Sequence, residues 1–464
     1  MCRILLDSCT LIDVPPWDDE LRRLLNTAGD PTASLPRTCS SLWNFLFTKS
    51  SLSTAATFSG DFVEVKCPGR YHYVHIQVAR ELKADPMKTP ATPRKPDVFV
   101  ILLDSIANSQ AVRTFPRTVK YLEEEFGAVN FRHLHKVGEN SYPNAMALLF
   151  DGLTSPLSMD GVESIDRRPE FPPSQWQKRC FIRPQDRYIM QAFGEAGYRT
   201  LTGENGDWQT IELPDCASMW QPDHRYKSFQ YLYEMDTSDL REKFMGNRQC
   251  RESHHFLFEY FEKFIRAFPD KPKAALLWEN VLGHHNPEPF HVDIQLEEFF
   301  RRIKNELSNA FIFILGDHGF RVPTTDRSAI LRTSIGRRDV NNPMLWVAVP
   351  EGIRGHPSLS SNIRKNSGQF ITPFDIYASM VDIIQHTANP HRLPDFSRTL
   401  NSTGLKGTSI FRPLPPDPRN CKTLPIPFAH CPCEFKYEPV SNHTIQRSVA
   451  LAAVEGINSL LAKR

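Results

Sequence analysis

The sequence predicts an α/β fold with a large, mostly parallel central sheet flanked by helices. Two segments indicate buried strands, residues 97–104 (DVFVILLD) and 311–317 (FIFILGD). Both runs are short and rich in β-branched or aromatic residues, which favours a strand buried on both faces over a helix. A third run at 274–279 (AALLWE) has the same character. A further strand is expected at 197–202, and helices are expected at 145–150, 188–195, 292–307, 375–385 and 445–461.

The first two strands each end at an acidic side chain, and a histidine follows the second acid. In open α/β sheets, ligand sites lie beyond the carboxyl ends of the strands. Asp104 from one strand could therefore meet Asp317 and His318 from the other and hold one metal ion. We expect Gly319 to permit the sharp turn that this requires. Each motif also has an ordinary interpretation, as a helix cap or a plain turn. Two such motifs far apart in sequence favour the metal site.

A candidate nucleophile lies in the segment 136–150 (KVGENSYPNAMALLF). Its apolar run is helix-like, and Asn140 or Ser141 is placed to begin the helix, with Pro143 in the first turn. A hydroxyl at a helix N-terminus lies in a positive field, beside backbone N–H groups that can bind an anion. The ordinary interpretation of Ser141 is an N-cap. A metal ion within bonding distance would lower the pKa of its hydroxyl and make it a nucleophile.

These motifs, in this order, resemble the alkaline-phosphatase and sulfatase superfamily, and within it the extracellular DUF229 family. In the phosphodiesterase branch, an aromatic residue, Pro and Asn follow the nucleophilic Thr or Ser, as they do in Ser141-Tyr142-Pro143-Asn144. The resemblance covers nearly the whole chain, from about residue 9 to about residue 433. The other matching segments are 115–122, 196–204, 317–319, 372–375 and 421–433.

The resemblance implies an alkaline-phosphatase-like sheet and a role for each candidate residue. Ser141 would be the nucleophile, Asn144 and His284 would bind substrate oxygens, and His285 would be an acid or a ligand of a second metal ion. A zinc ion is favoured over calcium because a histidine ligand suits zinc. The ligands of that ion would be Asp104, Ser141, Asp317 and His318.

The chain departs from the family pattern at three positions. Glu139-Asn140-Ser141 stands where the family has Asp-Asn-Thr, so the hydroxyl is kept. His284-His285 stands where the family has His-Asp, which leaves a second metal ion open. The sequence has no Cys-x-Pro-Ser-Arg motif, so the formylglycine chemistry of true sulfatases is not expected.

The predicted function is that of a metal-dependent hydrolase or transferase of phosphate esters, with sulfate esters as the less favoured substrates. The departures from the family pattern leave an alternative, a catalytically weak or inactive extracellular binding glycoprotein on the same scaffold. A second alternative gives the Cys-bearing termini a purely structural role in binding a partner.

The composition is that of a soluble globular protein. The chain has 464 residues, of which 40% are hydrophobic and 23% are charged. A net charge of +2, with no basic cluster interleaved with aromatics, excludes a nucleic-acid partner. No apolar run approaches the length of a membrane span, so no transmembrane segment is expected in this chain.

The cysteine content bears on the predicted localisation of the protein. The chain has ten cysteines, concentrated towards its ends, and an even number fits disulfides. Zinc binding by Cys421, His430, Cys431 and Cys433 is an alternative. Asn401 and Asn442 begin glycosylation acceptors if the chain is secreted.

We expect an extracellular protein, although residues 1–14 do not resemble a signal peptide, because Asp7 and Asp13 interrupt the segment. This predicts a targeting segment upstream of the given start. The alternative is a cytoplasmic protein with reduced thiols.

The chain is expected to have three parts. Residues 1–87 would form a Cys-containing extension packed on the core, and residues 97–390 the catalytic domain. Residues 391–464 would form a Pro- and Cys-rich extension that ends in a helix. The segment 84–96, with three prolines, would be the first connector.

Overall fold

The structure is a computed structural model, and it describes part of the chain. The described residues are 2–5, 61–67, 71–78, 94–155, 157–159, 162–163, 170, 187–205, 210, 223–226, 252–285, 289–321, 333–386, 395–400, 404–421, 423–427, 430–432 and 436–462. Their strands are β1 (Cys2–Leu5), β2 (Phe62–Cys67), β3 (Tyr71–Ile76), β4 (Asp97–Leu103), β5 (Val129–Asn130), β6 (Ser158–Met159), β7 (Val162–Glu163), β8 (Arg199–Asn205), β9 (His224–Tyr226), β10 (Lys273–Glu279), β11 (Ala310–Leu315), β12 (Leu345–Ala348) and β13 (Lys436–Pro439).

The helices lie between and after these strands. They are α1 (Asn108–Thr114), α2 (Pro116–Phe126), α3 (Ser141–Phe150), α4 (Ile189–Glu195), α5 (Ser253–Ala267), α6 (Leu282–His285), α7 (Val292–Arg302), α8 (Ser334–Asn341), α9 (Glu351–Arg354), α10 (Pro357–Asn366), α11 (Pro373–His386) and α12 (His443–Leu461).

The central sheet of the described chain has seven strands, in the order β5-β12-β11-β4-β10-β8-β9. The five strands from β11 to β9 run parallel to one another, and β12 runs antiparallel to both of its neighbours. The predicted mostly parallel sheet is therefore confirmed. Three smaller antiparallel pairs are β1–β13, β2–β3 and β6–β7.

Strand β4 shows how the sheet separates two cores. All seven of its residues are buried. Phe99, Ile101 and Leu103 pack on one face with side chains from α1, α2, α5 and α7. The alternate residues pack on the other face with side chains from α3, α4, α10 and α11. Because successive strand residues point to opposite faces, a strand with apolar side chains on both faces belongs in the middle layer of a three-layer fold.

The parallel register of β4 and β11 fixes the level at which their acids lie. Leu315, the last residue of β11, pairs with Leu102 of β4. Asp317 and Asp104 each follow two residues later. Both acids therefore leave the sheet at the same edge and at the same level, as the sequence predicts for a site at the carboxyl ends of parallel strands.

Asp293 connects two helices on one face of the sheet. Its carboxylate accepts hydrogen bonds from the backbone N–H groups of Arg117 (2.9 Å) and Thr118 (2.8 Å), in the first turn of α2. These N–H groups have no partner within their own helix. Asp293, in the first turn of α7, thus caps α2 and fixes the angle between the two helices.

Two predicted elements end three or more residues away from the expected position. The helix expected at 292–307 ends at Arg302, and the residues after it form turns before β11. The strand expected at 197–202 is β8, which continues to Asn205 because it pairs with β10 along that whole length. The added length carries β8 to the same sheet edge as Asp104.

Cys421 and Cys431 form a disulfide. A disulfide is therefore confirmed at this pair. The alternative zinc site that combined these two cysteines with His430 and Cys433 is wrong, because the disulfide consumes two of its four donors. Cys433 lies outside the described residues.

The two ends of the chain are joined by a pair of strands. β1 pairs with β13 in antiparallel register, with Cys2 opposite Pro439. The expected domain boundaries stay predictions, and most of the N-terminal extension lies outside the described residues. Asn401 also lies outside them, whereas Asn442 is exposed and its side chain accepts a hydrogen bond from the backbone N–H of Thr444 at 2.9 Å.

Among the helices of the described part of the chain, none combines the length and the apolarity that a membrane span requires.

Asp151 is a buried carboxylate at the end of α3, in the left-handed region at φ 53°. Burial raises the pKa of its carboxyl to about 6, although Lys406 and Arg187 oppose this effect. The backbone N–H of Lys406 lies 3.2 Å from one carboxylate oxygen, and the Arg187 guanidinium lies 3.8 Å from the other. Since the folded pKa lies above the unfolded value, protonated Asp151 stabilises the fold at low pH, and this stability is lost as the pH rises to about 6.

We expect Asp151→Asn to be more stable than the wild type at pH 7.5, by at most about 3 kcal/mol. Asn is neutral and tolerates the left-handed conformation, so it avoids the cost of a buried charge. The advantage should shrink towards zero near pH 4. Urea unfolding at both pH values measures it, with the exposed Asp417→Asn as the control. An advantage that is equal at both pH values would contradict the explanation.

Candidate metal and catalytic site

Asp104, Asp317 and His318 meet at the end of the central sheet. One side-chain donor atom from each lies within 4.8 Å of the others, and all three residues are buried. Asp317 Oδ2 lies 3.4 Å from His318 Nε2. The structure thus brings together three of the four residues that the sequence predicts as metal ligands.

Ser105 connects these three residues. Its backbone N–H donates to Asp317 Oδ1 at 3.0 Å, and its hydroxyl donates to Asp104 Oδ1 at 2.8 Å. The same hydroxyl lies 3.5 Å from His318 Nδ1. Ser105 has φ 61°, so the chain turns sharply after Asp104 and aims this N–H across to the neighbouring strand end. Such a conformation costs a non-glycine residue energy, and it persists at functional sites where the surroundings enforce it.

Gly319 is required for a reason other than the one expected from the sequence. Its φ does not lie in the left-handed region, so the expectation of a turn that only glycine permits is wrong. A Cβ on Gly319 would instead lie 2.4 Å from the carbonyl oxygen of Asp339. Glycine at this position lets the loop after His318 pack directly against the backbone of α8.

Ser141 is the first residue of α3, and its hydroxyl points into the site. Ser141 Oγ donates to Asp104 Oδ2 at 3.1 Å and lies 3.4 Å from His318 Nε2. The N-cap is Asn140, which makes no side-chain capping bond. The ordinary interpretation of Ser141 as an N-cap is therefore wrong, and its hydroxyl joins the candidate ligands.

Asn144 holds the loop that precedes α3. Its Oδ1 accepts from the backbone N–H of Val137 at 2.8 Å. Its Nδ2 donates to the carbonyl oxygens of Gly138 (3.2 Å) and Asn140 (2.9 Å). Both amide protons are used in this way, so the observed contacts of Asn144 hold this loop in place. Its predicted contact with a substrate oxygen stays a prediction.

His284 and His285 end the short helix α6, directly after β10. Their side chains lie outside the described residues, so their predicted roles stay predictions. The backbone of α6 lies so close to the site that a Cβ on Gly283 would be 2.0 Å from the carbonyl oxygen of Asp104.

Two cations near the site were not assigned a role from the sequence. Lys136 is buried, and its Nζ lies 3.8 Å from Glu139 Oε2. Burial lowers the pKa of Lys136 to about 8. Arg321 follows His318 by three residues, and its charge contributes to lowering the pKa values of both Lys136 and His318. Its buried Nε has no hydrogen-bond partner within the described chain.

Strand β10 is the other neighbour of β4 in the sheet, and its last two residues, Trp278 and Glu279, support the site. The indole N–H of Trp278 donates to Asp104 Oδ2 at 3.0 Å. The Glu279 carboxylate accepts from Asn205 Nδ2 at 2.9 Å and from the backbone N–H of Leu282 at 2.9 Å. Burial raises the pKa of Glu279 to about 7. The three strand ends are thus joined by side-chain hydrogen bonds.

The electrostatics of the site fit a bound cation. Burial raises the pKa of Asp317 to about 7, and the charge of Asp104 acts in the same direction. Burial lowers the pKa of His318 to about 3, so its ring is neutral at pH 7, the form that binds metals. Asp317 Oδ2 is buried and has no hydrogen-bond partner in the described part of the chain. A buried carboxylate oxygen without a hydrogen-bond partner, beside a second carboxylate and a neutral imidazole, is a donor set suited to a divalent ion.

The family of the chain follows from a comparison of its sequence with family models. The model described as protein of unknown function (DUF229) matches residues 48–464. The chain belongs to the DUF229 family. The family predicted from the short motifs is thereby confirmed. A search of curated proteins found no match.

Solved structures similar to this DUF229 protein have low identity to it. The lipoteichoic acid synthase LtaP from Listeria monocytogenes has 12% identity and a TM-score of 0.43, over 69% of this chain and 76% of that one. The C-terminal periplasmic domain of EcEptC from Escherichia coli has 12% identity and a TM-score of 0.42, over 69% and 93%. A protein in the alkaline phosphatase superfamily from Vibrio parahaemolyticus has 13% identity and a TM-score of 0.41, over 67% and 74%.

We expect Gly319→Ala to destabilise the DUF229 protein by about 1–3 kcal/mol, the usual cost of overpacking. The new methyl group would push the His318 loop away from α8, so metal affinity should fall together with stability. Thermal unfolding and zinc titration measure the two effects. The matched control is Gly352→Ala, where a Cβ would meet nothing within 4 Å. Equal behaviour of the two variants would contradict the packing argument.

Proposed function

We propose that this DUF229 protein is a metal-dependent hydrolase or transferase of phosphate esters, with Ser141 as its nucleophile. One observation carries the proposal. Ser141 Oγ lies within 3.4 Å of both Asp104 Oδ2 and His318 Nε2, in a cluster whose remaining member is Asp317. A single ion held by Asp104, Asp317 and His318 would therefore also reach the serine hydroxyl.

The metal ion fits zinc, because an imidazole nitrogen and carboxylate oxygens are common zinc ligands and three protein ligands leave a position open. When bound, it would supply positive charge that stabilises the serine oxygen and the substrate oxygens. The cluster of Asp104, Asp317 and His318 accounts for one ion. A role for His285 as a ligand of a further ion stays a prediction.

The reaction assigned to Ser141 is the transfer of a phosphoryl group. Its Oγ forms a bond to phosphorus, and the bond between phosphorus and the oxygen of the leaving alcohol breaks. The proton that the hydroxyl loses is balanced by the proton that the leaving alkoxide gains. The oxygen of water or of a second alcohol then attacks the phosphorus, the bond between phosphorus and Ser141 Oγ breaks, and the serine oxygen regains the proton that the attacking hydroxyl loses. The choice between water and alcohol separates a hydrolase from a transferase. The position of Ser141 at the start of α3 supports this role, since helix N-terminal N–H groups favour an anion.

Lys136 and Arg321 are the groups that would bind the negative charge of the substrate. Both are cations beside the metal cluster, and the Arg321 Nε has no hydrogen-bond partner in the described residues. A guanidinium presents paired N–H donors that match phosphate oxygens. Phosphate therefore suits the charges beside the site, and the absence of a Cys-x-Pro-Ser-Arg motif disfavours sulfatase chemistry.

The disulfide between Cys421 and Cys431 supports the proposed extracellular location. Disulfides persist in oxidising compartments and are rare in the cytosol.

We expect Ser141→Ala to lose at least about a thousandfold in kcat with p-nitrophenyl phosphate or bis(p-nitrophenyl) phosphate, since removal of a nucleophile costs this much or more. The matched control is Ser141→Thr, which keeps the hydroxyl that the family pattern carries. Steady-state kinetics measure the loss. Intact mass after a rapid acid quench of the reaction with p-nitrophenyl phosphate should show one added phosphoryl group in the wild type but not in Ser141→Ala.

Full activity in Ser141→Ala would exclude Ser141 as the nucleophile. A wild-type protein that binds no metal ion and cleaves none of these esters would favour the alternative, a binding glycoprotein on the same scaffold.

We expect Arg321→Gln and Lys136→Met each to lower kcat/KM by tenfold or more, equivalent to about 1.4 kcal/mol of binding to the transition state. Most of the loss should lie in KM, because these cations bind the phosphate and do not form or break bonds. The control is Lys120→Met, at a side chain that is 71% exposed. A loss confined to kcat with unchanged KM would contradict a binding role.

A further inference from the structure

A second cluster of metal-binding side chains lies at the start of α5, apart from the candidate site described above. Glu252 is the N-cap of α5, and His254 and His255 lie in its first turn. One donor atom from each of the three lies within 4.8 Å of the others. His254 is buried, whereas Glu252 and His255 are half-buried, so an ion could enter from solvent.

Two side chains at the start of α7 orient this cluster. His291 Nε2 lies 2.7 Å from Glu252 Oε1, and Gln295 Nε2 donates to Glu252 Oε2 at 3.3 Å. The side-chain amide oxygen of Gln295, Oε1, also accepts from His254 Nε2 at 2.6 Å. This bond places the proton of a neutral His254 ring on Nε2 and leaves Nδ1 as the unprotonated nitrogen. Metal-binding histidines commonly donate their second ring nitrogen to an oxygen in this way.

The three side chains are of the types that bind divalent transition metals. Imidazole nitrogens and carboxylate oxygens are common ligands of zinc. The two rings lie with their centroids 4.3 Å apart.

We propose that Glu252, His254 and His255 bind a second divalent transition-metal ion, with zinc as the ion the donor set suits best. One carboxylate oxygen and two imidazole nitrogens are three protein ligands, which leaves a position for water. His291 and Gln295 are positioning residues of this site. The proposal is independent of the function of Ser141, because it shares no ligand with the cluster of Asp104, Asp317 and His318.

The experiment counts the ions bound by the full chain. The protein is freed of metal by a chelator and titrated with Zn²⁺, with Co²⁺ as a spectroscopic probe of a nitrogen and oxygen ligand set. We expect two ions in the wild type and one in Asp317→Asn. We also expect one ion in Glu252→Gln/His255→Gln, and none when all three changes are combined. The control is Glu259→Gln/His443→Gln, which changes a carboxylate of α5 and an exposed histidine outside both clusters.

The outcomes distinguish the two sites. If Glu252→Gln/His255→Gln binds as many ions as the wild type, the second site does not exist and the cluster is a hydrogen-bonded network only. If the site around Asp317 fails, the wild type binds one ion, which Asp317→Asn keeps and Glu252→Gln/His255→Gln loses.

A separate variant covers the case in which the double variant does not fold. Gln295→Leu removes one of the two supporting side chains at the start of α7 and no ligand, and we expect it to weaken zinc binding at the second site by 10- to 100-fold, the usual effect of losing such a partner. Measured in the Asp317→Asn background, an unchanged affinity would overturn the proposal.

Discussion

The hydrogen bond from the Ser105 N–H to Asp317 is the contact on which the candidate site depends, because it joins two strand ends that carry like charges. Asp104 and Asp317 are both buried, and the charge of each opposes ionisation of the other. The chain offsets this with donors fixed in the backbone and in the neighbouring strand. These are the N–H groups of Ser105 and His318 and the indole of Trp278. A divalent ion would complete the compensation that these donors begin.

The fold holds this arrangement from one face and from the edge of the sheet. On one face, α3 packs its apolar side chains on the sheet and brings Ser141 to the level of the two acids. At the edge, Gly283 and Gly319 allow α6 and α8 to approach the backbone with no side chain between. Sites built on strand ends and helix starts are held more precisely than sites on long loops. The positions of Ser141 and Asp104 are therefore set by the same packing that forms the core.

The sequence predicted those parts of the molecule that follow periodic or repeated patterns. Runs of apolar residues revealed β4 and β11, and the parallel register then carried Asp104 and Asp317 to one place. The family motif led to Ser141. Such patterns gave no signal for Ser105, because its importance lies in a backbone angle that only the fold imposes. Trp278 was hidden for a related reason, since within an apolar run it is expected as core and its polar N–H goes unnoticed.

Lys136 and Arg321 were also missed, although Lys136 begins a recognised segment and Arg321 follows the Asp-His-Gly motif by two residues. A single cation in a loop has no spacing that distinguishes it from a solvated surface residue. Its burial beside the site depends on how α3 and the loop after β11 pack. Gly319 is the opposite case. The sequence correctly singled out this residue, but glycine is needed there for close packing and not for a turn. The cluster on α5 was missed because its support comes from α7, about 40 residues along the chain.

The indole of Trp278 has a use beyond its structural one. Its N–H is bonded to the same Asp104 oxygen that accepts from Ser141, so its electronic surroundings include the charge on that carboxylate. The ring is fully buried and shielded from solvent quenching. Any ion or phosphate that changes the charge on Asp104 would alter the emission of this tryptophan. Trp278 is therefore an internal fluorescent reporter, hydrogen-bonded to a proposed ligand of the metal ion.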